Sequence, residues 1–274
     1  MMRKSFFLFF IIAVLFGNLC YAQGPPIDTC KLLITYRLTY YPDSTSNEKK
    51  IEQMRLTIGN SSSIFESIGQ YKKDTMRLNN QSKPIGIGDM QRLGNQALTL
   101  GRSNFRYQIY KNTNQPFIYY HERIMRQSFY YKESNDIIKW KITNSKKNIA
   151  GYSCQLATTF FSGRNIEAWF TREIPHANGP YKFGGLPGLI IELSDSKRHY
   201  SFEFLKSETP KDKILILSYD DAIETTKQKF NQAKRDYEIN LSDKIAAMGH
   251  PVSQEDRKDY KDRLNKKNNP LELK

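Results

Sequence analysis

Along residues 31–41, Leu33, Thr35, Arg37 and Thr39 alternate with Ile34, Tyr36, Leu38 and Tyr40. A period of two in β-forming residues predicts a strand with one buried face, and the turn cluster Pro42-Asp43-Ser44 ends it. Residues 53–58 and 63–68 repeat the pattern around Gly59-Asn60-Ser61, which predicts a hairpin. Strand patterns return at 104–112, 117–121, 126–132, 137–143, 152–161, 165–171, 189–193, 199–206 and 213–218, with turn residues between most of them. Between the first three strands and the rest, residues 71–80 and 89–98 read as short helices joined by a loop at 84–88.

So many strands in succession, without alternating helices, exclude a doubly wound α/β fold. The expected class is α+β, mainly antiparallel β: a curved meander sheet with short inserted helices and a long C-terminal helix. After residue 218 the period lengthens. Asp220-Asp221 precede Ile223, Phe230, Ala233, Tyr237 and Leu241 at helical spacings, and the helix should end near Gly249-His250-Pro251. A second helix is expected from Ser253 to about Leu264, followed by a tail. The predicted organisation is a signal peptide at 1–22, an antiparallel β domain at 23–218 and a C-terminal helical extension at 219–274.

The first residues carry a different pattern. Arg3-Lys4, an apolar run from Phe6 to Phe16 and small residues up to Ala22 form the three parts of a secretory signal, with cleavage expected after Ala22. The apolar run is shorter than the roughly 20 residues of a spanning helix, and no later segment approaches that length. Leu19 before Cys20 argues against lipid modification. The mature chain is therefore expected outside the cytoplasm, in the periplasm or cell envelope or secreted, with no transmembrane segment.

Charge and cysteines refine this picture. The chain has 42 Lys and Arg against 28 Asp and Glu, and removing Arg3 and Lys4 leaves 40 − 28 = +12. Such a balance suits nucleic acid, an anionic membrane surface, acidic glycans or plain solubility, and export makes nucleic acid the least fitting of these. The denser zone from Lys227 onward has acids interspersed, as on a solvated helix surface. Of three cysteines, Cys20 leaves with the signal. Cys30 and Cys154 are then a candidate disulfide or two buried thiols.

Catalytic chemistry is thin. His121, His176, His199 and His250 are scattered, and exposed strand ends or loops account for all four. No HExxH helix, GxSxG elbow or clustered His/Cys metal spacing is present. The expectation is no metal, no cofactor and no catalytic set. Residues 174–190 are unusual, with four glycines and three prolines in seventeen positions, which fixes one backbone path. No strand-to-helix phosphate pattern surrounds Gly184-Gly185, so this is a structural loop between two strands.

Gly185-Leu186-Pro187-Gly188-Leu189-Ile190 in that loop resembles the signature of the GLPGLI family, exported proteins of Gram-negative bacteria without established activity. Ile149-Ala150-Gly151-Tyr152-Ser153-Cys154, Gly163-Arg164, Ala168-Trp169-Phe170-Thr171, Gly179-Pro180-Tyr181-Lys182-Phe183 and Asn268-Asn269-Pro270-Leu271-Glu272-Leu273 are similar to further family motifs in the same order. The resemblance implies an envelope location and brings no chemistry. At the level of fold, the meander also resembles the half-barrel of Lol-type lipoprotein carriers, an analogy that does not establish function.

Candidate ligand contacts are Arg164, Glu167, Trp169, His176 and Tyr181. By strand parity Glu167 and Trp169 share a face and Arg164 lies opposite Glu167. Abundant strand aromatics suit either a deep core or a cavity wall. The leading expectation is a non-enzymatic envelope protein that binds a hydrophobic or envelope-derived ligand or a partner protein. The alternatives are an envelope hydrolase using His176 and an interaction module that docks an acidic partner through residues 219–274.

Overall fold

A computed structural model describes residues 28–81, 103–124, 127–210, 222–247, 249 and 251–273. The signal segment, the loop at 84–88, the helix expected at 89–98 and the strand expected at 213–218 lie outside the described residues. Twelve strands are described: β1 Leu32–Tyr40, β2 Lys50–Ile58, β3 Ser62–Ser67, β4 Gln108–Asn112, β5 Phe117–Ile124, β6 Gln127–Ser134, β7 Lys141–Ile149, β8 Tyr152–Phe161, β9 Arg164–Thr171, β10 Leu189–Asp195, β11 Tyr200–Glu208 and β12 Ile223–Glu224. The helices are α1 Ile68–Gln81, α2 Lys227–Ile239, α3 Leu241–Ala247 and α4 Gln254–Asn265, with a 3-10 turn at Asn135–Ile137.

All twelve strands join one sheet in the order β12-β6-β5-β4-β3-β2-β1-β11-β10-β9-β8-β7. Neighbours are antiparallel except β12 on β6. The meander expected from the period-two pattern therefore holds as two runs, β1 to β6 and β7 to β11, joined where β11 pairs with β1 from Leu33↔Glu208 to Tyr40↔Tyr200.

Alternation decides what each face buries. Ile34, Tyr36, Leu38 and Tyr40 of β1 stand beside Met54, Leu56 and Ile58 of β2, and Phe65 and Ile109 continue the row on β3 and β4. From β8 to β10 the same core takes Phe161, Ile166, Ala168, Phe170 and Leu193. The sheet is strongly curved and not closed. Phe183, in the loop after β9, packs edge-to-face against Phe161 of β8 while its carbonyl accepts from Lys111 of β4. Strands β4 and β8 lie seven steps apart in the sheet, which would be roughly 34 Å if it were flat. Only a half-barrel curl lets one residue touch both.

Four sequence expectations are corrected. β7 runs Lys141–Ile149 rather than over 137–143. As an edge strand it is exposed along almost its whole length, so no buried face imprints a period on its polar second half. The helix expected after Asp220-Asp221 starts instead at Thr226, whose hydroxyl accepts from the Lys229 amide, and it breaks at Asn240 into α2 and α3. Ile223 before it pairs as β12. His121 is not an exposed strand-end or loop residue: it lies inside β5, with Nδ1 3.2 Å from Gln108 Oε1. Cys30 and Cys154 are both buried free thiols. Cys30 precedes β1 and Cys154 is on β8, with β11, β10 and β9 between them, so of the two alternatives, disulfide or buried thiols, the second holds. The helix α4 and its Ser253 cap stand as expected, and no described helix is long and apolar enough to cross a membrane.

Candidate functional site

The loop between β9 and β10 lies across the inner face of the sheet, and its sequence accounts for its path. Gly188, at φ +144°, passes so close to β9 that an added Cβ would sit 1.9 Å from the Thr171 carbonyl oxygen. Any side chain there collides with main chain. Phe183, Leu186, Leu189 and Ile190 are fully buried, each worth about 1.5–3 kcal/mol of burial. Three polar anchors hold the loop. Tyr36 donates to the Ile190 carbonyl at 2.7 Å, Trp140 Nε1 donates to the Gly184 carbonyl at 2.8 Å, and Lys111 Nζ donates to Asn178 Oδ1 and the Phe183 carbonyl at 3.1 and 2.6 Å. Lys111 has no carboxylate among these partners, and burial pushes its ammonium down to about 7.

Tyr181 and Lys182 carry the loop into a charged cluster. The Lys182 ammonium is fully buried and binds Glu133 of β6 and Glu272 of the tail, the latter at 2.5 Å. Lys227, on the first turn of α2, closes the square, pairing with Glu133 at 3.1 Å and also with Glu272. The Tyr181 hydroxyl donates to Glu272 as well. The rings of Tyr120, Tyr131 and Tyr181 stand 5.3–5.5 Å from Lys182 Nζ, within cation–π range. Phe230 of α2 packs on Tyr120 and Tyr131. Burial pushes the Glu272 carboxyl up, but Lys182, Lys227 and Tyr181 outweigh it and hold the group below the usual carboxylate range. Burial likewise opposes the charge of Lys227, and its two carboxylates more than compensate. Two ammonium groups and two carboxylates leave the cluster neutral.

A second anchor seats the tail. Arg164, buried at the start of β9, pairs with Asp195 at 3.1 Å, and donates to Asn269 Oδ1 and to the carbonyls of Pro270 and Leu271 at 2.6–3.0 Å. Tyr200 donates to the Asn269 carbonyl at 2.8 Å. Asn269 in turn reaches Tyr41 and Pro42, and the Leu273 amide donates to Ser162. Residues 268–273 thus strap the two runs of the meander together.

Of the five candidate contacts, the structure brings Arg164 and Tyr181 together through this tail. Glu167 is exposed and Trp169 half-buried on the sheet, with Lys147 Nζ 4.3 Å over the indole ring. Arg164 lies buried while Glu167 faces solvent, as their parity requires. His176 is half-buried in the loop, with no side-chain hydrogen bond or ion pair among the described residues.

Sequence reasoning missed Lys182, Glu133, Glu272, Lys227 and Lys111. The available signal was a lone lysine between Tyr181 and Phe183, and a lone glutamate between Leu271 and Leu273, each charged residue inside an apolar frame. It also missed a polar row across the opposite face. Arg55, Glu66, Gln108 and His121 are cross-strand neighbours on β2 to β5. Arg55 stands 3.8 Å from Glu66, beneath the Tyr71 ring of α1, and Gln108 donates to Glu66 at 2.7 Å. Burial pushes Glu66 up to about 7 despite Arg55 and Gln108, and pushes His121 down to about 3. Among the described residues no group of three metal-ligating side chains forms a metal site.

No curated protein matches the sequence. Crystal structures of PNGF-II in two space groups, P21 and C2, share the fold with a TM-score of 0.53 at 12% identity. They cover 76% of this chain, which spans only 34% and 33% of theirs. At that identity the likeness is one of fold alone. Residues 161–192, from the end of β8 through the loop into β10, match the family model described as "Protein of unknown function (Porph_ging)".

Proposed function

We propose that this protein is a non-enzymatic, exported component of a Gram-negative cell envelope, of the GLPGLI kind, and that it works by binding another protein. The observation that carries this reading is the inner face of the sheet. Where an apolar ligand would lie, Phe183 and Leu186 of the chain's own loop and Leu189 and Ile190 at the start of β10 already pack, with Phe230 and Leu271 in the same buried cluster. The two ammonium groups of Lys182 and Lys227 are matched there by Glu133 and Glu272. Export rests on the pattern of residues 1–22.

The hydrolase alternative draws no support from His176, whose side chain makes no hydrogen bond or ion pair among the described residues. Residues 219–274 carry twelve Lys and Arg against eleven Asp and Glu, 12 − 11 = +1, so net charge does not single out these helices for an acidic partner. Organic extraction of the mature protein, purified without detergent, tests the reading. It should yield no stoichiometric lipid, and one lipid per chain would overturn it in favour of a carrier.

A further inference from the structure

We propose that the groove filled by residues 268–273 is a recognition site for an extended peptide with an apolar–acidic–apolar segment, and that the chain's own tail is its resident occupant. This rests on the protein-binding reading above and names the chemistry of the partner.

The groove reads two things. Arg164 and Tyr200 take the carbonyls of Asn269, Pro270 and Leu271, groups that every peptide presents. Lys182, Lys227 and Tyr181 take the acid between two leucines. If Glu272 leaves, two buried or half-buried ammonium groups face the single carboxylate of Glu133, an imbalance that a partner's carboxylate would restore.

The tail is also attached in a way that permits exchange. It forms no ladder with any strand: its main-chain amides bond to the fold at Asn269 and Leu273, and the other attachments run through side chains. Its departure would leave every strand pairing in place. The charged cage is not sealed, since Lys227 is 30% and Glu272 12% exposed, and Leu273 is 47% exposed at its mouth. In cis the tail holds the site at a high effective concentration, so it acts as an inhibitor that a partner must displace.

The test uses the mature full-length protein and a fluorescein-labelled peptide with the sequence of residues 267–274, read by fluorescence anisotropy. Glu272→Lys places a third ammonium in the cage and should release the tail. The variant is expected to bind the peptide at least ten-fold tighter than the unaltered protein. Replacing the peptide's glutamate by glutamine should cost at least ten-fold. A variant with the circular dichroism of the parent that ignores the peptide would overturn the proposal. Should Glu272→Lys fail to fold, hydrogen exchange of the Leu273 amide in the unaltered protein decides. Several-fold faster exchange under excess peptide supports displacement, and an unchanged rate overturns it. A lipid-free protein that ignores the peptide would sink this site alone and leave the broader reading standing.

Discussion

Lys182 and Lys111 both end inside the curl of the sheet and fasten the same loop, one reaching from the loop to the sheet and the other from the sheet to the loop. Their partners differ. Lys182 meets two carboxylates and three tyrosine rings, whereas Lys111 meets an amide oxygen and a backbone carbonyl. A buried charge is held by counter-charges in the first case. In the second, desolvation goes uncompensated and the ammonium is weakened to about 7. One region thus fixes the tail and α2 through paired charge, while the other positions the loop by hydrogen bonds that a neutral amine can also make.

Gly188→Ala would remove the loop on which both lysines act. The new Cβ would meet the Thr171 carbonyl at 1.9 Å, so the loop that both lysines hold could not form. A loss above about 4 kcal/mol, or no folded protein, is expected in urea titration. Lys182→Met tests the paired region alone. It leaves Glu133 and Glu272 facing Lys227 only, and should cost about 3–5 kcal/mol.

A pH series separates the two regions further. Glu272 sits below its ordinary value of 4.5 in the fold. Its contribution is therefore complete above that pH and is lost as pH falls through the folded value. Lys111 works the other way, because its folded value of about 7 lies below 10.5. Between those pH values the unfolded chain binds more protons, so this term makes stability rise with pH. Lys111→Met should lose that rise, measured by denaturation at pH 7 and 9.5, while changing stability at pH 9.5 by only about 1 kcal/mol. The smallest effect belongs to the solvent-facing side of β9. Glu167→Gln should stay within about 0.5 kcal/mol of the parent.

The sequence was most legible where an element carries its own local signal, a buried face in β1 and β9 or a cap in α4, which has no buried residue. β1, β8, β9 and α4 fall within a residue or two of their expected bounds, because their alternation or Ser253 cap is written locally. β7 was legible only in part, since an edge strand has no buried face to impose a period. β12 was not legible at all, since two residues carry no pattern and its pairing with β6 is a long-range event. The loop was recognisable from its glycines and prolines, but its tie to the tail was not. Lys182 and Glu272 are 90 residues apart, and nothing local to either says that they meet. Trp169 and Glu167 drew attention because they stand near the signature loop in sequence, yet the curl of the sheet puts the charged cluster elsewhere.

The chain's own tail closes the inner face, and hydrogen exchange at the Asn269 and Leu273 amides measures that closure most directly. Both amides donate to carbonyls of the fold, Pro42 and Ser162. In the unaltered protein they should exchange at least about 100-fold more slowly than in an unstructured peptide, and Lys182→Met should speed both. Exchange at the unstructured rate in the unaltered protein would contradict the account.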